Sequence, residues 1–90
     1  MIGLYILQSL KNNRYYIGST VNIDQRLAEH NQGRVRATKF ISPLKLKVFI
    51  PCTSVEEARS SEYRLKKYKS KAIIEKVVSD GIFPWNHKGL

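Results

Sequence analysis

The chain has 90 residues, with 16 Lys and Arg against 7 Asp and Glu, a formal net charge of +9. That length suits one domain whose small core buries roughly 60–65% of the unfolded surface, and the 42% hydrophobic content argues against disorder. No apolar run approaches the ~20 residues of a membrane span, the first ten residues lack the basic start and cleavage site of a signal peptide, and one cysteine, Cys52, builds neither an internal disulfide nor a zinc cluster, which fits a cytoplasmic protein.

Residues 2–8 and 15–20 read as strands, the second rich in β-branched and aromatic side chains. Lys11-Asn12-Asn13-Arg14 between them is a turn signal, because Asn tolerates positive φ, so the strands form an antiparallel hairpin. A two-residue turn at Asn12-Asn13 pairs Lys11 with Arg14 and Ser9 with Tyr16. One sheet face then carries Gly3, Tyr5, Leu7, Tyr16, Gly18 and Thr20, and the other Ile2, Leu4, Ile6, Tyr15, Ile17 and Ser19. In that register Tyr16 opposes a residue roughly 13 Å along the strand from Tyr5.

Residues 22–32 read as a helix capped by Asn22, with Asp24 in its first turn and Gly33 as its stop. Ile23 and Leu27 form its apolar stripe, with Arg26 beside it and His30 one turn later. Residues 33–43 form a loop that holds Arg34, Arg36 and Lys39 and no acid. Residues 46–50 make a short strand between Pro43 and Pro51. Ser54-Val55-Glu56-Glu57 is a capping box for a second helix that runs to about Tyr68. A third helix covers about residues 70–79 and ends at Gly81. In the tail, residues 82–90, Phe83 and Trp85 are expected to pack on the core. The order β-β-α-β-α-α predicts an α/β (α+β) fold in which helices flank a small three-stranded mixed or antiparallel sheet.

The charge favours polyanionic partners, nucleic acid first. An anionic membrane is disfavoured because no helix joins a basic face to a broad apolar one. Glu62 falls on the stripe Val55, Ala58, Glu62, Leu65, where a carboxylate needs a charged partner or a metal. It either pairs with a nearby Lys or Arg at the stripe's edge or holds an ion. Arg26 and His30 are either a solvated helix face or a phosphate contact with a further donor or acid beside it. Gly3 and Gly18 share a face with Tyr5 and Tyr16, and strand glycines mark close approach by backbone or ligand.

Gly3-Leu4-Tyr5, ten residues, then Tyr16-Ile17-Gly18 resembles the paired motifs of the GIY-YIG nuclease superfamily. Arg26, His30 and Glu62 follow in the superfamily's order, over about residues 1–76. Tyr15-Tyr16-Ile17-Gly18-Ser19-Thr20, Arg26-Leu27, Glu29-His30-Asn31 and Ala37-Thr38-Lys39 are similar to its small single-domain bacterial branch, and through it to the UvrC N-terminal endonuclease domain and the catalytic domains of homing endonucleases. Leu4 replaces the usual Ile, and Ser19 stands where the repair branch carries lysine.

The resemblance implies a single GIY-YIG domain over residues 1–90 that hydrolyses phosphodiester bonds in DNA, with links to structure-specific cleavage, repair or recombination. Glu62 would hold one Mg²⁺ or Mn²⁺, since a single carboxylate suits an ion that keeps its water shell. Arg26 would hold the phosphate, Tyr16 would act on the attacking water with Tyr5 assisting, and His30 would be a proton shuttle or a phosphate contact. A free tyrosine titrates near 10, so a base role calls for positive charge nearby, from Arg26, the metal or the loop. Asn86 is a further candidate beyond the Glu. Arg34, Arg36, Lys39, Lys66 and Lys67 would track the nucleic-acid backbone. The other reading is a nucleic-acid-binding module of the same fold with little catalysis. Either way a monomer or weak dimer is expected, with specificity supplied by substrate shape or a protein partner.

Overall fold

Six of the seven residues 3–9 are buried, with Leu4 and Ile6 on one face and Tyr5 and Leu7 on the other, as suits the central strand of the sheet. The computed structural model describes residues 1–86; residues 87–90 of the tail lie outside them. The elements are β1 (Gly3–Ser9), β2 (Tyr15–Thr20), α1 (Ile23–Asn31), a 3-10 turn (Arg36–Thr38), β3 (Leu44–Pro51), α2 (Val55–Lys67), α3 (Lys71–Asp80) and a second 3-10 turn (Pro84–Asn86). The sheet runs β2-β1-β3 and is antiparallel throughout. Among the described residues no helix is long and apolar enough to cross a membrane.

The hairpin register differs from the expected one by two residues. Tyr5 faces Gly18, and Tyr16 faces Leu7 instead of Ser9. Ser9 causes the difference. Its Oγ accepts from the Lys11 and Asn12 amides, and its backbone pairs with Arg14 and Asn13. The turn therefore starts at Leu10 and spans four residues, with Asn13 taking φ 64°. An even shift preserves the faces, so the two tyrosines and two glycines still share one side.

Each side of the sheet has its own core. Leu4, Ile6, Ile50, Leu65, Ile74, Val77 and Phe83 pack on the α2–α3 side, with Trp85 against them. Tyr5, Leu7 and Leu44 pack on the α1 side with Tyr16, Ile23, Leu27 and Leu46. All three helices start on side-chain caps of about 1 kcal/mol each: Asn22 accepts from the Gln25 amide, Ser54 from Glu57 and Ser70 from Ile73. The Glu57 carboxylate closes on the Thr53 amide, one residue earlier than a capping box reaches. β3 begins two residues sooner than expected, because the Asn31 amide bonds both the N–H and the C=O of Leu44.

Candidate active site

Tyr5 rises from the central strand towards α1 and is 1% exposed. It fits there because Gly18, directly opposite, has no side chain; a Cβ at Gly18 would overlap the Tyr5 ring and hydroxyl. Gly3 gives the same room to the Phe49 ring and the Ile50 carbonyl. The Tyr5 and Tyr16 rings lie 6.3 Å apart at 29°, stacked, far closer than the expected separation because of the corrected register.

The last turn of α1 delivers His30 beneath both rings, its centroid 5.0 Å from Tyr16 and 5.6 Å from Tyr5. His30 is wholly buried, not merely beside the apolar stripe. Its Nε2 lies 2.8 Å from Tyr5 Oη and its Nδ1 lies 2.7 Å from Thr38 Oγ1, and Thr38 donates onward to the Val35 carbonyl at 3.5 Å. Arg26 Nε donates to Tyr5 Oη, so the Tyr5 hydroxyl proton needs an acceptor of its own; the tautomer that supplies one accepts at Nε2 and donates Nδ1–H to Thr38. Burial, with help from the nearby Arg26 charge, lowers the His30 pKa to about 4, so the ring is neutral, as this pattern requires. Burial raises the Tyr5 pKa, and Arg26, which donates Nε to Tyr5 Oη at 3.4 Å, opposes that rise. Tyr5 is therefore held as a protonated phenol.

Arg26 also pairs with Glu29 at 3.1 Å. Together with Ser19, Asn22, Ala58 and Arg59 these two line a cleft of about 330 Å³ between α1 and α2.

Glu62 approaches from the other side of the sheet. Ala58, Ser61 and Leu65 form the buried face of α2, so Glu62 sits on its shoulder with a quarter of its side chain exposed. Its Oε1 accepts from Ser19 Oγ at 2.8 Å, and its Oε2 accepts from Lys66 Nζ at 2.6 Å. The Lys66 ammonium also lies 5.8 Å from the Tyr16 ring centre. One cation thus touches both the acid and a tyrosine, around the free edge of β2. The carboxylate already holds a cation, and one carboxylate beside a hydroxyl suits a Mg²⁺ or Mn²⁺ ion that keeps most of its waters. The residues present therefore fit such an ion, although the described residues contain no cluster of three or more His, Cys, Asp or Glu.

Tyr5, Tyr16, Arg26, His30 and Glu62 are thus brought together, with Lys66. Lys67 instead lies over Tyr63, Arg34 and Arg36 are exposed on the loop, and Lys39 lies over Phe40. Asn86 lines a separate groove with Ser60, Arg64 and Trp85. Sequence reasoning missed Thr38, Ser19 as a partner of Glu62, and Glu29 as the partner of Arg26. The (i, i+3) spacing of Arg26 and Glu29 was a readable signal; for Thr38 and Ser19 no local spacing exists.

The GIY-YIG catalytic domain family model matches residues 1–76. A UPF0213 protein of Streptococcus pneumoniae serotype 4 (strain ATCC BAA-334 / TIGR4) is 39% identical over 67 residues, 73% of this chain and 67% of that protein. A UPF0213 protein of Clostridium perfringens (strain 13 / Type A) is 31% identical over 86 residues, 94% of this chain and 91% of that protein. No solved structure gives a match.

Proposed function

The chain belongs to the GIY-YIG catalytic domain family, a family of nucleases, and from that premise we propose that it is a divalent-metal-dependent endonuclease that hydrolyses DNA phosphodiester bonds. The observation that carries this reading is the shared Lys66 ammonium, which sets the Glu62 carboxylate beside the Tyr5–Tyr16 pair. A solvated helix face would not assemble an acid, two phenols, a guanidinium and a buried imidazole around one strand edge.

Arg26 lines the cleft and remains a fixed cation, so it would bind the scissile phosphate and offset the charge that grows on it. Tyr16 is half-buried while Tyr5 is fully buried with its hydroxyl hydrogen-bonded to His30, which favours Tyr16 as the phenol that meets the attacking water. Tyr5 would then hold position through its hydroxyl, between Arg26 and His30. Burial leaves His30 no surface for a phosphate, so of its two expected roles the proton-handling one is supported. Glu62, with Ser19 beside it, would hold the divalent ion, which when bound polarises the phosphate and stabilises the leaving oxygen.

The test incubates the protein with Mg²⁺ or Mn²⁺ and a panel of single-stranded, duplex, branched and RNA substrates. Wild type is expected to cut, with Glu62→Ala inactive and Tyr16→Phe strongly impaired. Equal background cleavage by wild type and Glu62→Ala would overturn the enzyme reading. Binding that persists in both would then identify a nucleic-acid-binding module.

A further inference from the structure

A second groove runs beside the candidate site, on the α2–α3 side of the sheet, and the mechanism above makes no use of it. It lies between the hairpin turn and the junction of α2 with α3, with a volume of about 390 Å³, within the roughly 300–1,000 Å³ of small-ligand sites. Its floor is apolar: Tyr15, Ile17, Leu65 and Ile74. Its rim carries Arg14, Lys66, Lys69 and Lys71, and among the described residues its lining holds no carboxylate.

We propose that this groove seats an unpaired nucleotide of the substrate strand, with its base against Tyr15 and its flanking phosphates on Arg14, Lys69 and Lys71. The inference rests on the nucleic-acid reading above and names the part of the substrate that would reach past the cut site. Three observations carry it. The first is the pairing of an apolar floor that includes one aromatic ring with a rim whose charged groups are all cationic, interspersed with the neutral Asn12, Asn13 and Ser70. A duplex presents mainly phosphate to a protein surface, and its bases are stacked inside; an unpaired strand presents both a π face and a phosphate.

The second is Lys69. It sits at φ 49°, in the left-handed region where Gly or Asn is less costly. The left-handed turn itself ends α2, since Lys69 directly follows the Tyr68 cap; a lysine at a position that Gly or Asn fills at lower cost leaves its cation on the groove's rim. The third is continuity. Lys66 belongs to the groove's rim and also bonds Glu62, so a strand that leaves the groove arrives at the candidate metal ligand.

The test measures binding of a labelled short oligothymidylate by fluorescence anisotropy in EDTA, so that no cleavage is involved. A blunt duplex of matched length and a polyglutamate peptide serve as competitors. Tyr15→Ala is expected to weaken oligothymidylate binding about tenfold or more, the scale of one lost base–aromatic stack, and to leave duplex binding unchanged. Tyr15→Phe, which keeps the π face, is expected to bind like wild type.

Should Tyr15→Ala fail to fold, Lys69→Gly decides. It relieves the left-handed residue and so should raise the melting temperature, yet bind the single strand more weakly and with a shallower salt dependence. Wild-type affinity in the folded groove variants overturns the proposal. Stronger competition by polyglutamate than by oligothymidylate also overturns it, in favour of an acidic protein partner. Failure here is separable from failure of the nuclease reading, since cleavage that depends on Glu62 can stand when groove variants bind normally, and the reverse can hold as well.

Discussion

Gly18 stands opposite Tyr5 in the β1–β2 ladder, and the phenol ring of Tyr5 occupies the space that any side chain at position 18 would need. Gly18→Ala is therefore expected to push Tyr5 off His30. Overpacking at such a buried site costs about 1–3 kcal/mol. Urea denaturation should show that loss, and cleavage should fall much further than stability does, because the folded fraction would lack the Tyr5–His30 contact. Wild-type stability in Gly18→Ala would mean that Tyr5 has another place to go.

The neutral, buried His30 makes stability depend on pH. Its folded pKa of about 4 lies below the ordinary 6.5, so between these values the unfolded chain binds the proton and the folded chain does not. Its contribution is complete well above pH 6.5 and is lost as pH falls through 4, by up to about 3 kcal/mol if the shift is fully expressed. Arg26, Glu29, Tyr5, Tyr16 and Thr38 surround the ring, and of these Glu29 alone favours its protonation. Denaturant titrations between pH 7 and pH 4 should show the slope in wild type and a flatter one in His30→Gln.

Thr38 orients that imidazole from the loop. Thr38→Val keeps the shape but removes the hydroxyl, leaving His30 Nδ1–H buried without an acceptor. An unsatisfied buried donor costs about 1–3 kcal/mol. The ring can avoid this by moving its proton to Nε2, which then no longer accepts from Tyr5. Thr38→Val should thus lose activity and shift the imidazole ¹⁵N signals to the other tautomer, whereas Thr38→Ser should keep both.

Much of this arrangement is readable in the sequence because it is local. Caps at Asn22, Ser54 and Ser70, the stop at Gly81 and the alternation of β1 follow from side-chain chemistry within a few residues. The hairpin register was not, since Ser9 competes with Asn12 for the start of the turn and draws on the Ile41 carbonyl, distant in sequence, to do so. The same holds at the site. Glu62 lies at the edge of its stripe and pairs with Lys66, one of the two arrangements its spacing allowed; helical spacing alone cannot tell the buried face from its shoulder, and Ser61 fills the buried position. The Glu62 partners divide along the same line: Lys66 is one helical turn away, while Ser19 comes from another strand.

Lys66 and a divalent ion would compete for Glu62. The Lys66–Glu62 pair is partly exposed and spans one helical turn, so it contributes only about 0.3–0.5 kcal/mol to stability. Lys66→Gln should leave the melting curve nearly unchanged and bind Mn²⁺ more tightly, as read from the electron paramagnetic resonance signal of free Mn²⁺. Glu62→Gln should abolish that binding. Identical Mn²⁺ binding in wild type and Lys66→Gln would show that the ammonium does not occupy the ion's place.

The two-core design has a dynamic consequence. α1 buries only His30 completely, with Ile23 and Leu27 half-covered, while the α2–α3 side holds the larger apolar cluster. What fastens α1 to the sheet is in good part polar: His30 to Tyr5, and Asn31 to Leu44. An element held this way opens at lower free energy than the rest of the molecule. The bonds that organise the chemistry are also the clasp of the helix, so docking of α1 and assembly of the site are a single event. Amide exchange along residues 23–31 would then report, with no substrate present, the fraction of molecules whose site is intact.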